Sequence, residues 1–379
     1  MWKIPLYKSD FGDREKDALI DVLNASWYTM GPKTAGFEKE FETYLQNGLE
    51  NNVYCTAVSS GTAALHIALM LLDLNSTDEV IIPSLTFVAN LNVVQLCGAK
   101  AVVADSASLD DWNMSPEKVE SLITENTKAI VAVHYAGYPV SLQIKDIATK
   151  HGLALIEDTA HAIGASVNSQ KCGTFGNMAA FSFFANKNLA VGEGGMFVTS
   201  DESMYERSKL LRSHGMSTSS RERHYGANPS YDILQPGLNY RIDEFRSALG
   251  LVQLEKLDAN NESRRKITEY YISRLKNSPL TIPFVKIASS VKPSYHIFPI
   301  LLPQKVDRAV FMDALKAEGI QASIHYPSYR QFSYYKDIID QKTPISDEIS
   351  NRVVTLPLYP TMTEDEAEQV VKAVLSNIT

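Results

Sequence analysis

The lysine at position 187 is well placed in this sequence to do covalent chemistry. An apolar run ends at Phe184, Lys187 follows on a polar loop, and a glycine-rich turn at residues 192–195 starts a second apolar run. A primary amine in a partly apolar setting favours its uncharged form, which is the nucleophile that a Schiff base requires. The alternative is a surface lysine in a loop, because lysine is seldom buried.

A carboxylate at the end of another apolar run is the second candidate. A strand predicted over residues 154–157 ends beside Asp158, which would be half-buried there and would need a cationic partner. A protonated pyridine nitrogen is such a partner, and the carboxylate would keep that ring an electron sink. His161 could contact the other side of the ring or its phenolic oxygen. The alternatives are a structural N-cap for Asp158 and a satisfied buried histidine for His161.

The turn at Ser60, Gly61 and Thr62 has the features of an anion site. It ends a predicted strand and opens a helix, so backbone N–H groups and the positive helix end are available. Gly61 permits close approach, and the hydroxyls of Ser60, Thr62 and Ser182 can donate to phosphate. The alternative is a simple helix cap. The turn is not a GxxxxGKS/T P-loop, and no GxGxxG follows the first strand, which disfavours triphosphate and dinucleotide ligands.

These groups together describe a pyridoxal phosphate site. Lys187 follows Asp158 by 187 − 158 = 29 residues, one strand and loop further on, so both reach the same edge of the sheet. Phe87 lies beyond another strand and could stack on a flat ring, although a lone aromatic is more often core. A lysine that accepts an aldehyde, a carboxylate for a pyridinium and an anion-binding turn are what this cofactor requires.

Seven segments resemble those of the DegT-type sugar aminotransferases, which are fold-type I pyridoxal phosphate enzymes. The segments are residues 59–69, 83–90, 157–165, 181–200, 211–215, 237–254 and 325–327. The resemblance covers nearly the whole chain, and the segments that contain Asp158 and Lys187 are highly specific. The sequence Phe-Phe-Ala-Asn-Lys-Asn at residues 183–188 is similar to the branch that includes perosamine-type synthases.

The resemblance implies a role for each candidate. Lys187 would form the Schiff base and carry the proton, Asp158 would pair with the ring nitrogen, Phe87 would stack on the ring and His161 would lie near its hydroxyl. The phosphate would be held by Ser60, Gly61, Thr62 and Ser182. In such enzymes a homodimer completes shared active sites, and Asn239 would reach the cofactor phosphate of the partner subunit. Relatives that dehydrate sugars have histidine where this chain has Lys187, which argues against that reaction.

The resemblance also implies an activity. An amino acid, L-glutamate by analogy, would become 2-oxoglutarate and leave pyridoxamine phosphate, which would then aminate a keto-sugar. The expected acceptor is a nucleotide-linked keto-deoxysugar, in the biosynthesis of an amino sugar for surface polysaccharide or lipopolysaccharide. Three alternatives stay open: a free keto-sugar acid such as an 8-oxo 3-deoxy-octulosonate as acceptor, a non-catalytic pyridoxal-binding regulatory protein, or a nicotinamide oxidoreductase on a doubly wound sheet.

Polar and aromatic residues on predicted loops are candidates for holding the sugar or a nucleotide diphosphate, with arginine favoured for phosphate. They are Trp27, Tyr28, His214, Arg221, Arg223, His224, His325, Tyr326 and Tyr329. Each could equally be a solvated loop residue, and none of them shows which carbon carries the carbonyl.

Short apolar runs alternate with helical patterns between residues 53 and 200. The runs are 53–58, 79–83, 101–104, 129–134, 154–157, 179–183 and 195–199. This alternation predicts an α/β fold with a mostly parallel seven-stranded sheet flanked by helices, whose ligand sites lie at the carboxyl ends of the strands. A helix is predicted over residues 10–24, with Asp10 as its N-cap.

A change of pattern after residue 242 predicts a second domain. A long helical stretch opens at Asp243 and Glu244 and continues to about Leu275, and short strands and helices follow it. We expect a cofactor-binding large domain over residues 1–245 and a small C-terminal α+β domain over residues 246–379. The N-terminal helix could pack on the small domain.

Composition excludes several classes of protein. The 379 residues carry a formal net charge of −8, which disfavours binding to nucleic acid or anionic membranes. The three cysteines have no paired spacing, so we expect a reducing compartment, with neither a disulfide nor a metal site. Because no apolar run approaches 18 residues and no signal-like segment opens the chain, a cytoplasmic protein is expected.

Overall fold

A seven-stranded mixed sheet organises the first part of the chain, in a computed structural model that describes residues 2–46, 49, 52–218 and 230–378. Its strands are β1 (Tyr54–Val58), β2 (Glu79–Pro83), β3 (Lys100–Ala104), β4 (Thr127–Val133), β5 (Ala154–Asp158), β8 (Met178–Ser182) and β9 (Gly195–Thr199). Their spatial order is β1-β9-β8-β5-β4-β2-β3, and only β9 runs antiparallel to its neighbours. The predicted α/β class and mostly parallel sheet are confirmed.

Helices cover the sheet because its strands are apolar on both faces, as parallel strands between two helical layers must be. The helices of this part are α1 (Asp13–Ala25), α2 (Pro32–Gln46), α3 (Gly61–Met70), α4 (Ala89–Leu96), α5 (Pro116–Ser121), α6 (Gln143–His151) and α7 (Glu202–Arg212). Between β5 and β8, the short strands β6 (Ser166–Val167) and β7 (Gln170–Lys171) join β10 (Val291–Lys292) in a separate small sheet.

The prediction that Asp10 caps the first helix is wrong. The helix begins at Asp13 with Gly12 as its N-cap residue, and the Glu15 carboxylate accepts a hydrogen bond from the Gly12 N–H at 2.7 Å. The Asp10 carboxylate instead forms an ion pair with Lys256, whose Nζ lies 2.8 Å away. A long-range charge therefore fixes Asp10, and no local pattern could show that.

A second apolar core lies in the C-terminal part of the chain. Here β11 (Phe298–Leu301) pairs antiparallel with β12 (Val353–Leu356). The helices of this part are α8 (Glu244–Leu275), α9 (Arg308–Ala317), α10 (Pro344–Arg352) and α11 (Glu364–Ser376). Ile4, from the other end of the chain, is buried in the same core. The domain boundary that we propose, between residues 245 and 246, falls at the start of α8.

Helix α8 connects the two cores, because its first half packs on α1 and α2 and its second half on α11. The contact with α1 includes a hydrogen bond from Gln253 Nε2 to Glu15 Oε1 of 2.8 Å. Asp243 caps α8, accepting from the Arg246 N–H at 2.9 Å. None of the helices in the described part of the chain has the length and apolar character needed to span a bilayer.

Candidate active site

A cavity of about 350 Å³ lies at the carboxyl edge of the seven-stranded sheet. The residues predicted from sequence that line it are Ser60, Gly61, Thr62, Phe87, Asp158, His161, Ser182, Lys187, His325 and Tyr326. They come from the ends of β1, β2, β5 and β8 and from the loop that precedes α10. Residues that are far apart in sequence therefore lie together in this cavity, because the carboxyl ends of parallel strands meet at the same edge of a sheet.

Lys187 reaches the cavity from the loop between β8 and β9. Its backbone N–H donates to the Phe184 carbonyl at 2.9 Å, which closes a tight turn directly after the strand. Burial lowers the pKa of Lys187 to about 8, although the nearby Asp158 carboxylate opposes this by favouring the charged ammonium. The amine is therefore uncharged in a substantial fraction of molecules near neutral pH.

Asp158 ends β5 and is 6% exposed. Its Oδ2 accepts from the side-chain amide of Asn90 at 2.8 Å, and its Oδ1 accepts from the Ala160 N–H at 3.0 Å. A carboxylate has about four acceptor positions, so these neutral donors leave room for a cationic partner in the cavity. The group can hold a protonated ring nitrogen there.

Glu157, the residue before Asp158, has a different role because side chains alternate across a strand. Its carboxylate is 1% exposed and accepts from three backbone N–H groups, those of Gly173, Phe175 and Gly176, at 2.6–2.8 Å. A fourth contact, of 3.0 Å, comes from His134 Nε2. Since the His134 Nδ1 accepts from a backbone N–H, its Nε2 must carry the proton and donate. Glu157 is fully satisfied and structural.

Gly61 and Ser182 line the side of the cavity formed by the ends of β1 and β8. A Cβ on Gly61 would lie 2.7 Å from the Ser182 Cβ, so only glycine allows the turn before α3 to approach β8 this closely. Ser60 Oγ accepts from the Ala63 N–H at 3.1 Å, so Ser60 caps the N-terminus of α3. The N-terminus of a ten-residue helix still faces the cavity, and it attracts anions.

His161 and Tyr326 are hydrogen-bonded to each other across the cavity. The His161 Nε2 lies 2.8 Å from the Tyr326 hydroxyl oxygen, and its Nδ1 accepts from the Ala136 N–H at 3.2 Å. Burial lowers the pKa of His161 well below its usual value, with Lys187 adding repulsion, so the ring is neutral. Phe87 is 54% exposed, and its ring lies 5.7 Å from that of Tyr326. A side chain this open can cover a flat ligand.

Five residues suggested from sequence do not line the cavity in the single chain. Trp27 Nε1 donates to the Met30 carbonyl, Tyr28 stacks on Phe245, and Tyr329 is 2% exposed with its hydroxyl donating to the Gln341 carbonyl. The other two, His214 and Asn239, are exposed on adjacent backbone segments. Three further candidates, Arg221, Arg223 and His224, lie outside the described residues.

Sequence reasoning missed the role of Asn90. It is fully buried at the start of α4, and its amide donates both to Asp158 and to the Thr86 hydroxyl, each at 2.8 Å. A helix had not been predicted after β2, so nothing placed Asn90 beside a residue 68 positions away. The one available signal was that Asn90 ends the segment 83–90, which resembles a segment of the aminotransferase family.

The site fits pyridoxal phosphate by the chemistry of its groups. An amine with a lowered pKa, a carboxylate with free acceptor positions and a helix N-terminus line one cavity, and they match the aldehyde, the ring nitrogen and the phosphate of that cofactor. No group of three or more His, Cys, Asp or Glu side chains in the described part of the chain could hold a metal ion.

Comparisons with known proteins agree with this chemistry. A protein of Methanocaldococcus jannaschii is 35% identical over 381 residues, which covers 98% of this chain and 96% of that protein. Helicobacter pylori PseC, an aminotransferase involved in the biosynthesis of pseudoaminic acid, has a TM-score of 0.90 at 28% identity and covers 99% of each chain. A Streptococcus pneumoniae protein, 25% identical with a TM-score of 0.91 over 99% of this chain and 98% of that one, has structures in PMP and PLP forms.

The family match extends over almost the whole chain. The description of the DegT/DnrJ/EryC1/StrS aminotransferase family fits residues 9–375, which include every element that builds the cavity. The predicted fold-type I architecture, the cofactor and the aminotransferase class are confirmed. The chain belongs to the DegT/DnrJ/EryC1/StrS aminotransferase family and is a pyridoxal phosphate-dependent aminotransferase.

Proposed function

We propose that this aminotransferase moves an amino group from L-glutamate to a nucleotide-linked keto-deoxysugar, in the biosynthesis of an amino sugar for a surface polysaccharide. The observation that carries the proposal is the meeting of Lys187, Asp158 and the Gly61 turn in one cavity. Relatedness to PseC, which takes part in the biosynthesis of pseudoaminic acid, supports a sugar as the acceptor. The net charge of −8 and the absence of a membrane-spanning helix among the described residues fit a cytoplasmic enzyme.

The residues around the cavity would divide the work between them. When bound, pyridoxal phosphate supplies a carbonyl carbon and an electron-withdrawing ring. The Lys187 Nζ would hold that carbon until the donor amino group displaces it, and would then move the proton between the substrate Cα and the cofactor. Asp158 would keep the ring nitrogen protonated, and its hydrogen bond from Asn90 fixes its orientation.

The remaining contacts would hold the cofactor in place. Phe87 would cover one face of the ring, and His161 would border the edge that carries the phenolic oxygen. The phosphate would be bound by Ser60, Gly61, Thr62 and Ser182. The single chain leaves Asn239 exposed, which supports the proposal that it reaches the phosphate of the partner subunit in a homodimer with shared active sites.

The proposed substrate residues differ in their relation to the cavity. His325 lines the cavity, and its Nδ1 lies 2.9 Å from the Thr355 hydroxyl, so a sugar could meet its other nitrogen. Burial lowers the pKa of His325 to about 4, so it would act as a neutral hydrogen-bonding group rather than a cation. Trp27, Tyr28 and His214 do not line the cavity and would contribute through the partner subunit or after a change of structure. Arg221 and His224, which lie outside the described residues, are proposed as substrate residues from the sequence resemblance alone. Tyr329 is held in the core and would act indirectly.

The pH dependence of cofactor capture tests the state of Lys187. Because only the uncharged amine attacks an aldehyde, and because its pKa lies at about 8, the rate at which the apoenzyme captures pyridoxal phosphate should rise with pH and level off above that value. About a tenth of the amine is uncharged at pH 7, against roughly one part in 3,000 for an ordinary lysine. Stopped-flow absorbance measures the rate of capture. A rate that continues to rise up to about pH 10, without levelling off, would contradict the lowered pKa of Lys187.

Two half-reactions test the proposed activity. Glutamate should bleach the visible band of the purified holoenzyme and release 2-oxoglutarate. The aminated enzyme should recover the band with 2-oxoglutarate, which reverses this half-reaction, and with one class of keto-sugar. The acceptors compared are nucleotide-linked keto-sugars, free keto-sugar acids and simple 2-oxo acids. If free keto-sugar acids restore the band and nucleotide-linked keto-sugars do not, a nucleotide-linked acceptor is refuted. A band that no amino acid bleaches would refute the transamination itself.

A further inference from the structure

Both ring nitrogens of His161 are already occupied by protein groups. The Ala136 N–H donates to Nδ1 at 3.2 Å, and the Tyr326 hydroxyl oxygen lies 2.8 Å from Nε2. An imidazole nitrogen that accepts a hydrogen bond carries no proton, so the proton of this neutral ring lies on Nε2. His161 therefore donates to Tyr326, and it has no remaining nitrogen to offer to a ligand.

The direction of that hydrogen bond determines what Tyr326 can do. Its oxygen accepts from His161, so its own proton is not used in this contact and can be donated elsewhere. Tyr326 lines the cavity, and the Asp158 carboxylate lies near enough to raise the pKa of its hydroxyl further above the level that burial produces. The hydroxyl thus keeps its proton and offers one fixed donor to the cavity.

The topology of the sheet shows which edge of the cofactor ring meets that donor. In pyridoxal phosphate the phosphate arm and the phenolic oxygen occupy the two carbons that flank the aldehyde-bearing carbon, so they point to opposite walls. Gly61 follows β1 and Ser182 ends β8, and both strands lie on one side of β5 in the strand order. Ala136 follows β4 and Phe87 follows β2, on the other side, and they contact His161 and Tyr326 respectively.

With Asp158 at the ring nitrogen, the phenolic oxygen must therefore face the wall that carries His161 and Tyr326. We propose that the Tyr326 hydroxyl, rather than the His161 imidazole, donates the hydrogen bond to the phenolic oxygen of the cofactor, and that His161 acts by orienting Tyr326. This inference rests on the proposed cofactor contacts of Asp158 and the Gly61 turn. It assigns a cofactor contact to a residue from the segment before α10, which lies far from the large sheet in sequence.

Binding measurements on two ligands test this contact without using activity. The ligands are pyridoxamine phosphate and its analogue that lacks the 3-hydroxyl, each titrated by fluorescence quenching into apo wild type and apo Tyr326→Phe. The substitution should weaken pyridoxamine phosphate by about 10-fold to 100-fold, the usual range for a hydrogen bond to a charged acceptor, and should change the affinity of the analogue less than about twofold.

A matched tyrosine provides the control. The Tyr335 hydroxyl donates to Asn92 Oδ1 at 2.6 Å in the core outside the cavity, so Tyr335→Phe should leave both affinities unchanged. The proposal is overturned if Tyr326→Phe weakens both ligands equally or weakens neither. Failure of the proposed function would look different, because wild-type protein would then bind neither ligand or would not transaminate after loading.

Discussion

Replacing Lys187 with alanine is expected to reduce transamination by at least about 10⁴-fold, because the variant loses both the covalent anchor and the group that moves the proton. The cavity should otherwise stay intact, since alanine removes only a side chain from its wall. Pyridoxal phosphate should therefore still bind, through the Gly61 turn and Asp158, but without the spectrum of a lysine adduct. Single-turnover absorbance with excess glutamate measures the rate.

Lys171 provides the control for this variant. Its Nζ lies 3.6 Å from the centre of the Tyr44 ring, and burial lowers its pKa, as it does for Lys187. It does not line the cavity. Lys171→Ala should keep wild-type turnover, and a Lys187→Ala enzyme within tenfold of wild type would remove the lysine from the mechanism.

Replacing Asp158 with asparagine is the second substitution for which a large effect is expected. A neutral amide cannot keep a pyridine nitrogen protonated, so kcat should fall by roughly 10²–10³-fold, as it does when one preorganised electrostatic partner is removed. Because Asp158 also raises the pKa of Lys187, the rate of cofactor capture by this variant should level off at lower pH than in wild type. Steady-state kinetics and stopped-flow capture measure the two effects.

A substitution at the adjacent Glu157 is the control that distinguishes an electrostatic role of Asp158 at the cofactor from a structural role. Glu157→Gln disturbs a buried carboxylate that accepts from four donors, so the free energy of unfolding should fall on the order of 1–3 kcal/mol. Its folded fraction should turn over normally, since Glu157 faces away from the cavity. If Asp158→Asn loses stability but keeps kcat within about threefold of wild type, the carboxylate is structural and our assignment fails.

The positions of Lys187, Asp158 and Gly61 could be predicted from sequence for one physical reason. Each lies at the end of an apolar run, and the ends of parallel strands converge on one edge of the sheet. The pattern that predicts the fold therefore also predicts the site. The antiparallel direction of β9 was not visible, because an apolar run has the same period in either direction.

What escaped prediction depends on tertiary contacts. Asn90 reaches Asp158 only because α4 begins beside the end of β5, and Asp10 is fixed by Lys256 rather than by the helix next to it. Tyr329 looked like a loop residue, but its short helical turn packs on the core. The proton position on His161 is determined by the Ala136 N–H, and side-chain type alone could not indicate it.

The proposed site requires that Lys187, and no other lysine, forms the covalent bond to the cofactor. The holoenzyme would be reduced with borohydride, digested and mapped by mass spectrometry, which locates the lysine that carries the pyridoxyl group. We expect a single modified peptide, containing Lys187, with no label on Lys171. Stable label on any other lysine, or a reduced protein from which all the cofactor can be dialysed away, would contradict the central role of Lys187.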